Sequence, residues 1–151
     1  MPKSVATVSL TGLHTASNFF PSDEPAAPAS LNIIFNELKR ILTAHRKGAI
    51  VIRGGSNGDI ALVSEKKVEV DGRWKNETYF AAALVQKGYV GFYFMPIYGD
   101  TALKNEIGTQ LLACLKGKSC FHIRRNDPVL YKQISEALDA GYRLYKERGW
   151  V

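Results

Sequence analysis

Cys120 and His122 stand two residues apart with Asp127 close behind, the residue types of a thiol nucleophile, a base and an orienting acid. That chemistry needs nucleophile and base within hydrogen-bond reach. On a strand such side chains share a face, but their bases lie about 6.5–7 Å apart. The spacing alone makes no dyad, and the pair reads as a small cysteine beside a surface histidine. Lys116-Gly117-Lys118-Ser119 has the tail of a phosphate loop, yet Leu112 sits where its first glycine belongs, and the order is helix then strand rather than strand then helix. Gly54-Gly55-Ser56-Asn57-Gly58 could offer a nest of backbone donors. A strand rather than a helix follows, so it reads as a connecting loop. A zinc centre needs three or four clustered ligands, and His14, His45, His122, Cys114 and Cys120 are scattered without a C-x-x-C. Asp59, Glu65, Glu69 and Asp71 fall on loops or outward strand positions, a solvated edge rather than an acid–base pair. No signature of a named nucleic-acid-binding module occurs.

The elements that would position these residues belong to one domain. A chain of 151 residues, nearly half apolar and about a quarter charged, suits one sizeable core. No apolar run approaches the roughly 20 residues of a spanning helix. The N-terminus has neither a secretory apolar stretch nor, through residue 30, any arginine of a transit peptide. Two cysteines make no disulfide framework and fit a reducing compartment, so a cytoplasmic location is expected. Of the net charge of +6, residues 101–125 hold Lys104, Lys116, Lys118, Arg124 and Arg125 against Glu106 alone. A concentrated positive field favours anionic partners, and its plainer reading is a basic surface that aids solubility.

Residues 1–29 read as an extended arm, with Pro2, Pro21, Pro25 and Pro28 among many small residues, and with Phe19 and Phe20 able to pin it. The domain proper spans 30–151. Ser30 is the expected N-cap of a first helix with Leu31, Ile34, Leu38, Ile41 and Leu42 on its apolar stripe. Short strands follow, with Asp71-Gly72 as a two-residue hairpin turn. The central hairpin pairs 78–85 with 89–95. A three-residue bend, Gln86-Lys87-Gly88, spares Lys87 a positive φ. That register sets Leu84 opposite Val90, Ala82 opposite Phe92 and Phe80 opposite Phe94 on the core face. Ala81, Ala83 and Gly91 then floor the other face among tyrosines. A second helix is expected over 102–115, a last strand over 119–124 with Lys118, Cys120, His122 and Arg124 outward, and a final helix capped by Asp127 with Pro128 at its first position. The class is α+β: a mainly antiparallel sheet with helices packed on one face.

The segments TYFAAALVQKGYVGFYFMPIY (78–98), LKGKSCFHI (115–123) and LYKERGWV (144–151) resemble the YdhG-like domain family over roughly 31–151. The resemblance implies a frataxin-like two-layer sandwich. Because relatives in that family are described as intracellular iron chaperones, it also implies iron as cargo, for which carboxylates such as Glu37, Glu65 or Glu69 would be the ligands. The residues themselves point to a non-enzymatic binding or chaperone-like domain. It would engage a small anionic ligand or a protein partner through a face bearing Tyr79, Tyr93, Lys118, His122 and Arg124, without a membrane. Single-stranded nucleic acid stacking on that face is the other reading.

Overall fold

A computed structural model describes residues 25–151; the expected anchors Phe19 and Phe20 lie outside them. Helix α1 (Pro28–Ala44) leads into β1 (Ile50–Gly54), β2 (Asp59–Ser64), the small β3–β4 hairpin (Val68–Val70, Arg73–Lys75), β5 (Thr78–Gln86) and β6 (Tyr89–Phe94). Next come a short α2 (Pro96–Gly99), a 3-10 turn (Thr101–Glu106), α3 (Thr109–Leu112), β7 (Leu115–Lys116), β8 (Cys120–Ile123) and the long α4 (Pro128–Glu147). Six strands form one sheet in the order β1-β2-β5-β6-β8-β7, with every neighbouring pair antiparallel. The expected α+β class is therefore the observed one.

The core lies between one sheet face and the helices. Leu31, Ile34, Leu38 and Leu42 of α1 and Leu130, Ile134 and Leu138 of α4 meet Phe92, Phe94, Phe121 and Ile123 of the sheet in one buried cluster. Helix α4 starts as expected, with Pro128 in its first turn and the Asp127 carboxylate accepting from Val129 N at 2.9 Å. Its Gly141 passes so close to the sheet that a Cβ there would meet the Phe94 ring at 2.6 Å. The Asp71-Gly72 turn is also as expected, with both residues at positive φ, 52° and 80°.

Four expectations are corrected. Helix α1 starts at Pro28 with Ala27 as an N-cap that offers no side-chain bond; proline pre-sets the helical φ and takes over the start from Ser30. The single helix over 102–115 is instead a 3-10 turn, a short α3 and strand β7. Gly108 interrupts it, where a Cβ would collide with the Gln133 side chain and where Gln133 Oε1 accepts from Leu111 N at 2.9 Å. Leu103, Ile107 and Leu111 are buried all the same.

The third correction is the central hairpin. Gln86 pairs with Tyr89, so the turn is the two-residue Lys87-Gly88. Only Gly88 takes positive φ, at 88°, so the glycine alone supplies the left-handed residue, as in a type II turn, and Lys87 is not strained. Such a turn matches hairpin twist poorly, and here Ala26 N donates to Gly88 O at 2.7 Å, bracing the tip from outside. Ala81, Ala83 and Val85 thus oppose Phe94, Phe92 and Val90, while Ala82 and Leu84 oppose Tyr93 and Gly91.

The fourth is the facing of β5, which the shorter turn reverses. Ala81 and Ala83 are buried in the core and Ala82 and Leu84 turn outward, the opposite of the expected assignment. Phe80 nevertheless ends in the core, because β2 pairs Leu62 with Ala81 and then Val63 with Tyr79, leaving Phe80 as the extra residue of a bulge.

Candidate functional site

The face away from the helices is half-exposed, and the outward residues Ala61, Ala82, Leu84, Tyr93 and His122 lie outside the main core cluster. The pairings set its side chains in rows. One row crosses all six strands: Arg53, Ala61, Ala82, Tyr93, Cys120 and Lys116. The next runs through Asp59, Leu84, Gly91 and His122, and beyond it Gln86 pairs with Tyr89. Neighbouring strands lie about 4.8 Å apart, so Tyr93 has the small residues Ala61 and Ala82 on one side and the basic β8–β7 edge on the other. The floor of small residues is therefore Ala61, Ala82 and Gly91.

Gly91 decides the pose of Tyr93. A Cβ at Gly91 would come 2.9 Å from the Tyr93 ring, which means the ring lies down over the glycine instead of standing off the sheet. Burial pushes the Tyr93 phenol above its ordinary pKa, and a hydrogen bond with Gln86 opposes the shift. Beside it, the Tyr89 and His122 rings stack with centroids 3.8 Å apart and planes 12° from parallel, and the Arg124 guanidinium lies 5.3 Å from the Tyr89 centroid. His122 is held below the ordinary imidazole pKa, first by burial and then by the Arg124 and Lys116 charges. Its Nδ1 is buried without a hydrogen-bond partner among the described residues. This part of the face therefore combines a flat phenol ring, a neutral imidazole and nearby cations.

The five residues expected to form one site separate into two groups. Tyr93, His122 and Arg124 gather on the outer face. Lys118 lies in the β7–β8 turn, with its ammonium 5.7 Å from the centroid of the Tyr98 ring. Tyr79, 58% exposed, borders the outer face through a small apolar cavity of about 190 Å³ with Ala61, Ala82, Tyr93 and Met95, and it also lines a larger cleft below. The larger cleft brings in Tyr98 and Trp150, which the sequence reading left out of the site. No spacing in the sequence groups them; only the fold shows Tyr79 and Tyr98 left exposed beside Trp150.

Nucleophilic chemistry finds no support in this geometry. Cys120 neighbours Tyr93 across the strands, and burial raises its thiol pKa while a hydrogen bond with Tyr93 acts against the shift. A thiol held protonated at neutral pH is a poor nucleophile. Iodoacetamide is accordingly expected to label Cys120 several-fold more slowly than free glutathione at pH 7.5, with the rate still rising above pH 9. Labelling at the glutathione rate, followed by mass spectrometry of the Cys120 peptide, would contradict the assignment.

Of the carboxylates named for iron, Glu37 binds Arg40 at 2.8 Å and Glu65 binds Arg53 at 3.0 Å. Among the described residues no group of three or more His, Cys, Asp or Glu is placed to hold a metal ion. No described helix is long and apolar enough to cross a membrane. Comparisons with protein-family models, with curated proteins and with solved structures give no match.

Proposed function

We propose that this protein is a binding domain that holds a small planar anion on the outer face of its sheet, with the planar part on Tyr93 and the charge toward His122 and the basic β7–β8 edge. The observation that carries this reading is the Tyr93 ring laid over Gly91, in a row that ends at Lys116. Stacking on an exposed aromatic ring is worth about 1–3 kcal/mol. A low-pKa histidine can add charge only when an anion arrives to favour its protonated form.

The experiment is a thermal-shift and calorimetry panel of planar anions, including nucleoside monophosphates and flavin mononucleotide, with an aromatic sulfonate, whose charge is constant through the weakly acidic range, as the ligand of the pH series. A hit should lose roughly tenfold or more in affinity on Tyr93→Ala, in line with the stacking term. The pH dependence has a definite sign. Because the His122 pKa lies low in the free protein, the bound anion raises it, so binding takes up a proton and affinity increases as pH falls through the weakly acidic range. In the ligand-free protein the same depressed pKa contributes stability that is present above the ordinary imidazole value of about 6.5 and lost as pH falls through the lower folded value. His122→Gln should flatten both profiles. Affinity that is indifferent to Tyr93→Ala, or that weakens on acidification, would rule this reading out.

A further inference from the structure

Below the outer face, where β5 begins and the chain leaves α4, lies the larger cleft, about 450 Å³ in volume. Tyr79 and Tyr98, each more than half exposed, line it together with Trp150 and Met95. Side-chain contacts tie its walls together. The Tyr145 hydroxyl donates to Tyr79 O at 2.8 Å, the Tyr145 and Trp150 rings meet edge to face at 5.0 Å, and Ser64 Oγ donates to Trp150 O at 2.6 Å. Three separate segments of chain are thus fixed around one space of the size that small ligands occupy.

Two further features point to what would fill it. Thr78 stands in the wall, and its Oγ1 is buried without a hydrogen-bond partner among the described residues. A buried hydroxyl left without a partner is destabilising, and a ligand group bonded to it would recover that loss. The charges around the cleft are also unequal in availability. Glu77 is already bound to Arg53 at 2.7 Å. Arg148 lies over Trp150 and meets Asp100 only at 3.7 Å, and Lys75 is an exposed residue of the lining. Asp71, on the exposed β3–β4 turn, is the remaining carboxylate of the lining.

We infer that this cleft is a second binding site, for a small aromatic acid: a ring system held among Tyr79, Tyr98 and Trp150, a hydrogen-bonding group on Thr78, and a carboxylate facing Lys75 and Arg148. The site stands apart from the outer-face reading, because its floor and its cations are different residues.

The test uses the full chain carrying Trp74→Phe, which leaves Trp150 as the only tryptophan. 6-Hydroxy-2-naphthoate, which offers both a ring acid and a hydroxyl, is titrated against Trp150 fluorescence and by calorimetry. Its neutral analogue, 6-hydroxy-2-naphthalenemethanol, is titrated in parallel. Saturable binding of the acid, at least fivefold tighter than the alcohol, is expected. Thr78→Val should move two readouts in opposite directions, raising Tm without ligand because the orphan hydroxyl is gone, and lowering affinity for the naphthoate several-fold. Tyr93→Ala should leave that affinity unchanged, which separates this site from the outer face. No saturable binding, equal affinity for the alcohol, or a Thr78→Val affinity equal to that of the parent would each overturn the proposal.

Discussion

Replacing Phe92 by alanine is expected to cost about 3–5 kcal/mol of folding stability, the usual range for deleting a buried aromatic ring. Phe92 is fully buried, with the Phe94 and Phe121 rings 5.8 and 5.7 Å away, so the cavity would open between sheet and helices where neither layer can easily close it. A domain has about 5–15 kcal/mol in total, so the variant would lose much of its margin. Urea denaturation with an unchanged m-value is the measurement. The adjacent Tyr93→Ala variant supplies the contrast, since its ring lies half-exposed on the other face and should cost far less. A loss below about 1.5 kcal/mol for Phe92→Ala would mean that the core is not organised around this ring.

Gly141→Ala is expected to destabilise the protein although helix propensity argues the reverse. Within a helix, alanine is favoured over glycine by about 1 kcal/mol. At Gly141 the added methyl would lie 2.6 Å from the Phe94 ring and 2.8 Å from Pro96. Both neighbours are buried and neither is the free end of a flexible side chain. Overpacking of this kind costs about 1–3 kcal/mol, and more where nothing can yield. Packing should therefore win, lowering Tm by several degrees at about 2–4 °C per kcal/mol for a chain of this size. A Tm that rises would show that α4 can slide off the sheet at no cost.

The sorting of Phe92 and Phe94 inward from Tyr93 outward was legible in the sequence because β6 is a regular strand with strict alternation. Strand β5 was not legible in the same way. Its residues 81–85 are all small or aliphatic, so the hydrophobic pattern fits either face, and the turn that sets the register also accepts a bond from Ala26, far off in the chain. The bulge at Phe80 then hides the shift, since one extra residue returns the strand to phase. Likewise, the periodicity of Leu103, Ile107 and Leu111 reported their burial correctly, but it could not show that Gly108 meets Gln133 of another helix. Of the site, Tyr93, His122 and Arg124 could be placed from alternation alone. The cleft could not, because Tyr79, Tyr98 and Trp150 converge only through tertiary packing.

The strand order has a kinetic corollary. The sheet consists of three local ribbons, β1–β2, β5–β6 and β7–β8, stitched at two distant seams, β2 to β5 and β6 to β8. Each ribbon can zip within microseconds, whereas the seams wait on closure of longer loops. The pair Ala61 and Ala82 straddles the first seam and the pair Tyr93 and Cys120 the second. No isolated ribbon carries the full platform, so during refolding the capacity to bind should emerge last, in step with final assembly and after most of the backbone has already zipped.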